Sequence, residues 1–119
     1  MYYWKVAVLN RAALIVRYKQ PFVDWVNSVE TDAPQRLRLA DANDNNSVYL
    51  IEVDDEDDLP GWLQLNGEAL MEAELSGWYP EPQVWPENRS LALFQKWCSV
   101  ELHTLVFDTG TDPLQERED

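Results

Sequence analysis

The residues with the most ligand-like spacing lie in an asparagine-rich segment. Asp41, Asn43, Asn45 and Glu52 occupy the first, third, fifth and twelfth positions of a twelve-residue run. This spacing is typical of a calcium loop, whose twelfth residue binds the ion through both carboxylate oxygens. Helices should flank such a loop, but both flanks here alternate like strands, and turns are generally rich in Asp and Asn. The sequence therefore favours an ordinary loop with no cofactor, and a calcium or magnesium site is the alternative.

A run of acidic residues, 54–58 (DDEDD), follows closely. Clustered carboxylates attract hard cations or a basic protein partner. They also suit the start of a helix, because the helix dipole favours negative charge there, and Asp58 could cap that helix. Asp54, Asp55 and Asp57 are the candidate residues for contact with a basic partner.

His103 is the only histidine and Cys98 the only cysteine. Glu101 should lie beside His103 on one face of a strand, since alternate residues share a face. Catalysis by a Cys–His pair needs the two within hydrogen-bond reach, and a lone thiol on an apolar helix face usually serves packing. The sequence contains no phosphate loop, nucleophile elbow or zinc spacing. We therefore expect a non-enzymatic protein, with a small enzyme using His103 and Glu101 as the alternative.

Aromatic residues surround a proline-rich connection at residues 79–87. Trp78, Tyr79 and Trp85 lie at or beside it, and exposed aromatic rings are common in protein interfaces. The same rings could instead pin an irregular loop to the body of the protein. These three residues are the remaining candidates for partner binding.

The composition limits the function classes. The chain has 119 residues, 45% of them hydrophobic, which suits one folded domain. Its 22 acidic and nine basic residues give a formal net charge of -13. This charge opposes binding to nucleic acids and anionic membranes and favours a basic protein partner, with nucleic-acid mimicry as a special case. One cysteine and no recognisable signal or spanning segment predict a cytoplasmic protein.

The elements that would position these residues follow from periodicity and capping. Pro21 suits the first turn of a helix with an apolar face, and Gly77 suits the end of a longer helix. The predicted elements are a strand at Ala12–Tyr18, a helix near 20–29, a hairpin of 36–39 with 48–53, a helix at 59–76, a short helix at 91–98 capped by Ser90, and a final strand at 100–107.

The order of these elements predicts an α+β fold. It reads β-α-β-β-α-β with an extra short helix before the last strand, the pattern of a ferredoxin-like antiparallel sheet with helices on one face. We expect one domain over residues 1–114, with 1–9 loosely ordered or forming an added strand, and a frayed acidic tail at 115–119. An exposed strand edge allows a monomer or a homodimer.

Several segments together carry a family likeness. The chain resembles a family of short, acidic bacterial proteins of unknown function over roughly residues 10–114. The resemblance implies a bacterial cytosolic protein and provides no catalytic or binding residue to transfer. The asparagine-rich loop and the Tyr2-Tyr3-Trp4 start are not features of that family. The segments concerned are 10–13 with 19–25, 48–51, 77–79 with 85, 86 and 94, and 101–103 with 108.

Overall fold

The computed structural model describes residues 7–118, which form a mixed α+β structure with two small antiparallel sheets. None of the helices in this range is long and apolar enough to cross a membrane. Single 3-10 turns at Glu56–Asp58 and Pro82–Val84 complete the described elements. The strands are β1 (Ala7–Val8), β2 (Ala12–Tyr18), β3 (Val48–Ile51), β4 (Cys98–His103) and β5 (Phe107–Asp108), and the helices are α1 (Gln20–Val29), α2 (Leu39–Ala42), α3 (Leu59–Trp78) and α4 (Leu91–Trp97).

β2 is the central strand of the larger sheet, whose order is β3-β2-β4 with both neighbours antiparallel. Ala12, Leu14 and Val16 are fully buried, while the alternate residues of β2 are half-buried or exposed. This period-two pattern places one face of the sheet against the core. The predicted strand at Ala12–Tyr18 is confirmed.

The smaller sheet extends the pairing of β2 with β4. Val8 pairs with Phe107, and the Leu9 amide donates to the Val106 carbonyl at 2.8 Å. Between this pair and the Ala13–His103 pair, the first chain segment contains one more residue than the second. The register therefore slips by one residue, as at a β-bulge. The predicted single strand at 100–107 is wrong for this reason, because the slip divides it into β4 and β5.

The predicted strand at 36–39 is also wrong. The buried side chain of Asn27 donates to the Leu37 carbonyl at 2.9 Å and accepts from the Leu37 amide at 2.8 Å. The backbone groups of Leu37 are thus bonded to α1 and cannot join a strand ladder. The sheet has three strands, so the ferredoxin-like topology is not confirmed.

The helices largely follow the sequence signals. α1 begins with Pro21 in its first turn and buries Phe22 and Trp25, as predicted. Ser90 caps α4, with its hydroxyl accepting from the Leu93 amide at 3.3 Å. α3, in contrast, runs past Gly77, which has an ordinary backbone conformation, so the predicted stop at this glycine is wrong.

The two ends of the chain lie partly within the described residues. Ala7 and Val8 form an added strand, and residues 1–6, including the Tyr2-Tyr3-Trp4 start, lie outside the described residues. Residues 113–118 are exposed and have no regular secondary structure, and residue 119 also lies outside the described range. The single-domain boundary at 114 stays a prediction.

Candidate functional site

The acidic segment, residues 54–58, links β3 to α3 and is exposed throughout. The Asp55 carboxylate accepts a hydrogen bond from the Asp57 amide at 2.8 Å and caps the 3-10 turn. Asp58 precedes α3 but makes no capping hydrogen bond with its side chain. The side chains of Asp54 and Asp57 make no capping hydrogen bond of this kind. Because all five residues of the acidic segment carry exposed carboxylates, negative charge is concentrated directly before α3.

A groove of about 480 Å³ lies beside the acidic segment. It contains four leucines from three elements together with two carboxylates on its acidic side, and we call it the acidic groove. A second groove of about 390 Å³ joins Asp54 and Asp55 to Thr104 at the end of β4. The acidic groove is lined by Glu56, Asp57, Leu59, Pro60, Leu63, Gln64, Leu91, Gln95 and Leu102.

The geometry of the acidic groove follows from local packing. α3 starts at Leu59 directly after the acidic segment, with Pro60 in its first turn, and Leu63 is buried against the core. Leu91 at the start of α4 lies close to α3, because Gly67 presents no side chain to it. Leu102 points inward from β4. An apolar floor therefore lies next to negatively charged residues, an arrangement suited to a ligand with cationic and apolar parts.

The predicted calcium residues make separate contacts in the structure. Asp41 forms an ion pair with Arg38 at 3.1 Å, which lowers the pKa of the Asp41 carboxyl. The Asn43 side chain accepts from the Tyr18 amide at 2.8 Å and donates to its carbonyl. These contacts use oxygens that a calcium loop would need.

The last predicted ligand is engaged elsewhere. Glu52 pairs with Arg11 at 3.3 Å, and Asn45 is exposed in the loop. Within residues 7–118 there is no group of three or more histidine, cysteine or carboxylate side chains able to hold a metal ion. The calcium or magnesium site stays a prediction.

His103 and Glu101 lie together as the strand alternation predicts. The His103 Nε2 and a Glu101 carboxylate oxygen are 2.6 Å apart, and both side chains are about half exposed. The hydrogen bond with His103, together with the charge of nearby Arg17, lowers the pKa of Glu101. Among the described residues, the linings of five surface grooves do not include His103, whose side chain is 56% exposed.

Cys98 is 2% exposed and points into the core from the opposite end and face of β4. Burial, and secondarily the charge of Glu74, raises the pKa of the Cys98 thiol to about 12. Because thiolate is the reactive form, this environment suppresses nucleophilic chemistry at Cys98.

The aromatic candidates are half-buried. The Trp85 indole donates to the Tyr79 carbonyl at 2.7 Å, and the Trp78 ring meets the edge of Tyr18 in the core. Trp25 donates in the same way to the Val84 carbonyl at 2.9 Å. These bonds fix the proline-rich connection to the body. Parts of Trp78 and Tyr79 remain accessible in a groove of about 360 Å³.

The buried site that the sequence interpretation missed is centred on Glu74. This residue is 3% exposed, and its two carboxylate oxygens accept hydrogen bonds from the hydroxyls of Tyr18, at 2.5 Å, and Tyr49. Glu74 follows the buried residue Leu70 by four positions, so the signal was a carboxylate on the inward stripe of α3. All three polar groups satisfy one another within the core.

No family model, curated protein or solved structure matches this chain. The likeness to a family of acidic bacterial proteins therefore stays a prediction.

Proposed function

We propose that this protein is a non-enzymatic binding protein that holds a basic segment of a protein partner in the acidic groove. The observation that carries the proposal is the apolar floor of Leu63, Leu91 and Leu102 beside the exposed carboxylates of Glu56 and Asp57. Carboxylates at the rim attract cationic side chains, and the leucines can bury one apolar side chain of the partner.

The charge of the whole chain supports the same class of partner. At a formal net charge of -13, the protein attracts cations over distances set by the Debye length, about 10 Å at 0.1 M salt. The same charge opposes nucleic acid and anionic membranes as partners. The proposal places the protein in the bacterial cytoplasm, where a lone thiol such as Cys98 stays reduced.

The enzyme and cation-binding alternatives have weaker support. The side chains of His103 and Glu101 are about half exposed and contact each other, and oxygens of Asp41, Asn43 and Glu52 already contact protein groups. Contact through Trp78, Tyr79 and Trp85 remains part of the proposal as a secondary surface. The acidic groove is the primary one.

A labelled synthetic peptide with several lysines around one central phenylalanine tests the acidic groove. We expect its anisotropy to report binding that weakens when salt rises from about 0.1 M to about 1 M, because screening removes the charge attraction. Asp55→Asn, Glu56→Gln and Asp57→Asn combined, which include both carboxylates of the acidic groove, should weaken binding about tenfold or more, which is about 1.4 kcal/mol. The asparagine at residue 55 preserves the capping oxygen.

The control variant combines Asp112→Asn, Glu116→Gln and Glu118→Gln, which remove the same number of charges from the exposed C-terminal segment. This variant should bind almost as tightly as the original chain. A second peptide with serine in place of phenylalanine should bind more weakly, because the leucine floor then stays unfilled. Equal losses in both charge variants, or equal affinity for both peptides, would reject the acidic groove as the binding site.

A further inference from the structure

The outer face of the three-stranded sheet is separate from the acidic groove, and its residues are exposed or half-buried. We define the outer sheet face by residues that alternate with the buried ones of each strand. Val48 and Leu50 on it are 58% and 48% exposed, high values for large apolar side chains. The face comprises Ala13, Ile15 and Arg17 of β2, Val48 and Leu50 of β3, and Ser99, Glu101 and His103 of β4.

The apolar residues of this face form one block. Ile15 pairs with Val48, and Ala13 pairs with Leu50, so the four side chains are direct or diagonal neighbours. β3 is an edge strand, and exposed apolar residues on an edge strand favour association. In the smaller sheet, the cross-strand pair of Val8 and Phe107 is also exposed.

The charged residues at this face neutralise one another. Arg17 lies 3.5 Å from Glu101, which also contacts His103. At the other end, Arg11 lies 3.3 Å from Glu52. Two arginines thus offset two glutamates on a chain whose formal net charge is -13. Because both glutamates are already paired with arginines, these pairs offer no unpaired carboxylate to a basic partner.

We propose that a second copy of this chain covers the outer sheet face and forms a two-fold symmetric dimer. Two copies can approach here without opposing their excess negative charges, because this face is locally neutral. In such a dimer the same surface serves both subunits. This inference uses a different surface from the acidic groove and goes beyond the proposed function.

The size of the outer sheet face limits the surface area that a dimer can bury. Three strands at about 4.8 Å spacing make a face about 14 Å wide. The contact therefore belongs to the small interfaces, which bury less than about 1,200 Å² in total. The dimer should therefore be weak and reversible, as is typical of interfaces of this size.

Sedimentation equilibrium of the full chain over a series of concentrations tests this dimer. We expect association to tighten when salt rises from about 0.1 M to about 1 M, because the Debye length then falls from about 10 Å to about 3 Å and the residual repulsion is screened. Leu50→Glu should weaken dimerisation about tenfold or more. Binding of the basic peptide to the acidic groove should respond to salt in the opposite direction.

Leu65→Glu is the matched control, because Leu65 is an exposed leucine on α3 and receives the same charge. It should leave dimerisation unchanged. If Leu50→Glu fails to fold by circular dichroism, Val48→Thr combined with Leu50→Thr keeps one β-branched residue and adds another, and should also weaken the dimer. A monomer at every concentration and salt level, equal losses in the glutamate variants, or weakening by salt would overturn the second copy as the occupant.

Discussion

At the scale of single residues, Glu74 places a carboxylate inside the core. Burying such a group is costly unless its oxygens are hydrogen-bonded. The hydroxyls of Tyr18 and Tyr49 supply those bonds, one to each oxygen. The same contacts disfavour loss of a proton from either tyrosine. Burial first, and the hydrogen bond to Glu74 second, raises the pKa of both tyrosines above the ordinary 10.0.

These shifts predict lower stability at alkaline pH. A raised pKa in the folded state means that the unfolded chain releases the proton first, so stability is complete below pH 10 and falls as pH rises above it. Cys98 acts with the same sign from pH 9 upwards, since its pKa rises from 9.0 to about 12. Urea unfolding measured from pH 8 to pH 11.5 should show this progressive loss.

Tyr49→Phe identifies the contribution of one hydroxyl. At pH 8 it should destabilise the protein by about 2 kcal/mol or more, because a buried carboxylate oxygen of Glu74 loses its hydrogen-bond donor. Above pH 10 its stability should fall less steeply than that of the original chain. The difference should be a fraction of the limiting value for one proton, about 1.4 kcal/mol per pH unit, because the ring is only half-buried. Parallel pH curves for the two proteins would contradict the assignment to Tyr49.

At the scale of elements, the contact between α3 and α4 depends on Gly67. A Cβ atom at this position would lie 2.7 Å from the Leu91 Cδ1 and 3.1 Å from its Cβ. Alanine usually improves an exposed helix position over glycine by about 1 kcal/mol. Here the side chain of Leu91 would have to move, and its displacement would disturb the floor of the acidic groove.

Gly67→Ala should therefore lower the free energy of unfolding, by about 1 kcal/mol or more, because overpacking outweighs the gain in helix propensity. Gly61→Ala is the control in the same helix, since nothing lies within 4 Å of a Cβ atom there. It should leave stability unchanged or raise it by up to about 1 kcal/mol. Chemical denaturation measures both variants. Stabilisation by Gly67→Ala would show that the helices can separate without cost.

Elements with strong local signals were predictable from sequence. β2 is a β-branched, apolar run, α1 has Pro21 in its first turn and an apolar stripe, and Ser90 stands directly before α4. Each of these signals lies within the element that it specifies or directly before it. The broad α+β class followed from them.

Elements decided by distant contacts were not predictable in the same way. The alternating residues 36–39 fit a strand, but Asn27, ten residues before Leu37, binds the backbone of Leu37. The acidic segment was recognised from its composition, whereas the floor of the acidic groove required Leu91 and Leu102 to meet α3. Periodicity along the chain contains no information about which distant leucines will meet.

At the scale of the whole molecule, charge is distributed unevenly. Arg17 on the outer sheet face and Arg11 beside it each pair with a glutamate, whereas the acidic segment has five consecutive exposed carboxylates directly before α3. Like charges held close together on a folded surface repel one another. Exposed ion pairs contribute little to stability, with typical values of about 0–1 kcal/mol each. Repulsion should therefore dominate the response of this protein to salt.

The melting temperature should accordingly rise by several degrees when potassium chloride increases from about 0.01 M to about 0.5 M, because screening weakens the repulsion within the folded state. Circular dichroism melts measure this rise.

Neutralising Asp54, Asp55 and Asp57 should reduce the rise in melting temperature more than neutralising Asp112, Glu116 and Glu118, although both variants lose the same charge. The first group lies in and beside a 3-10 turn that the Asp55 side chain caps, whereas the second lies in an exposed segment without regular structure. A melting temperature that falls with salt would contradict dominant repulsion, and equal reductions in the two variants would mean that net charge matters more than its placement.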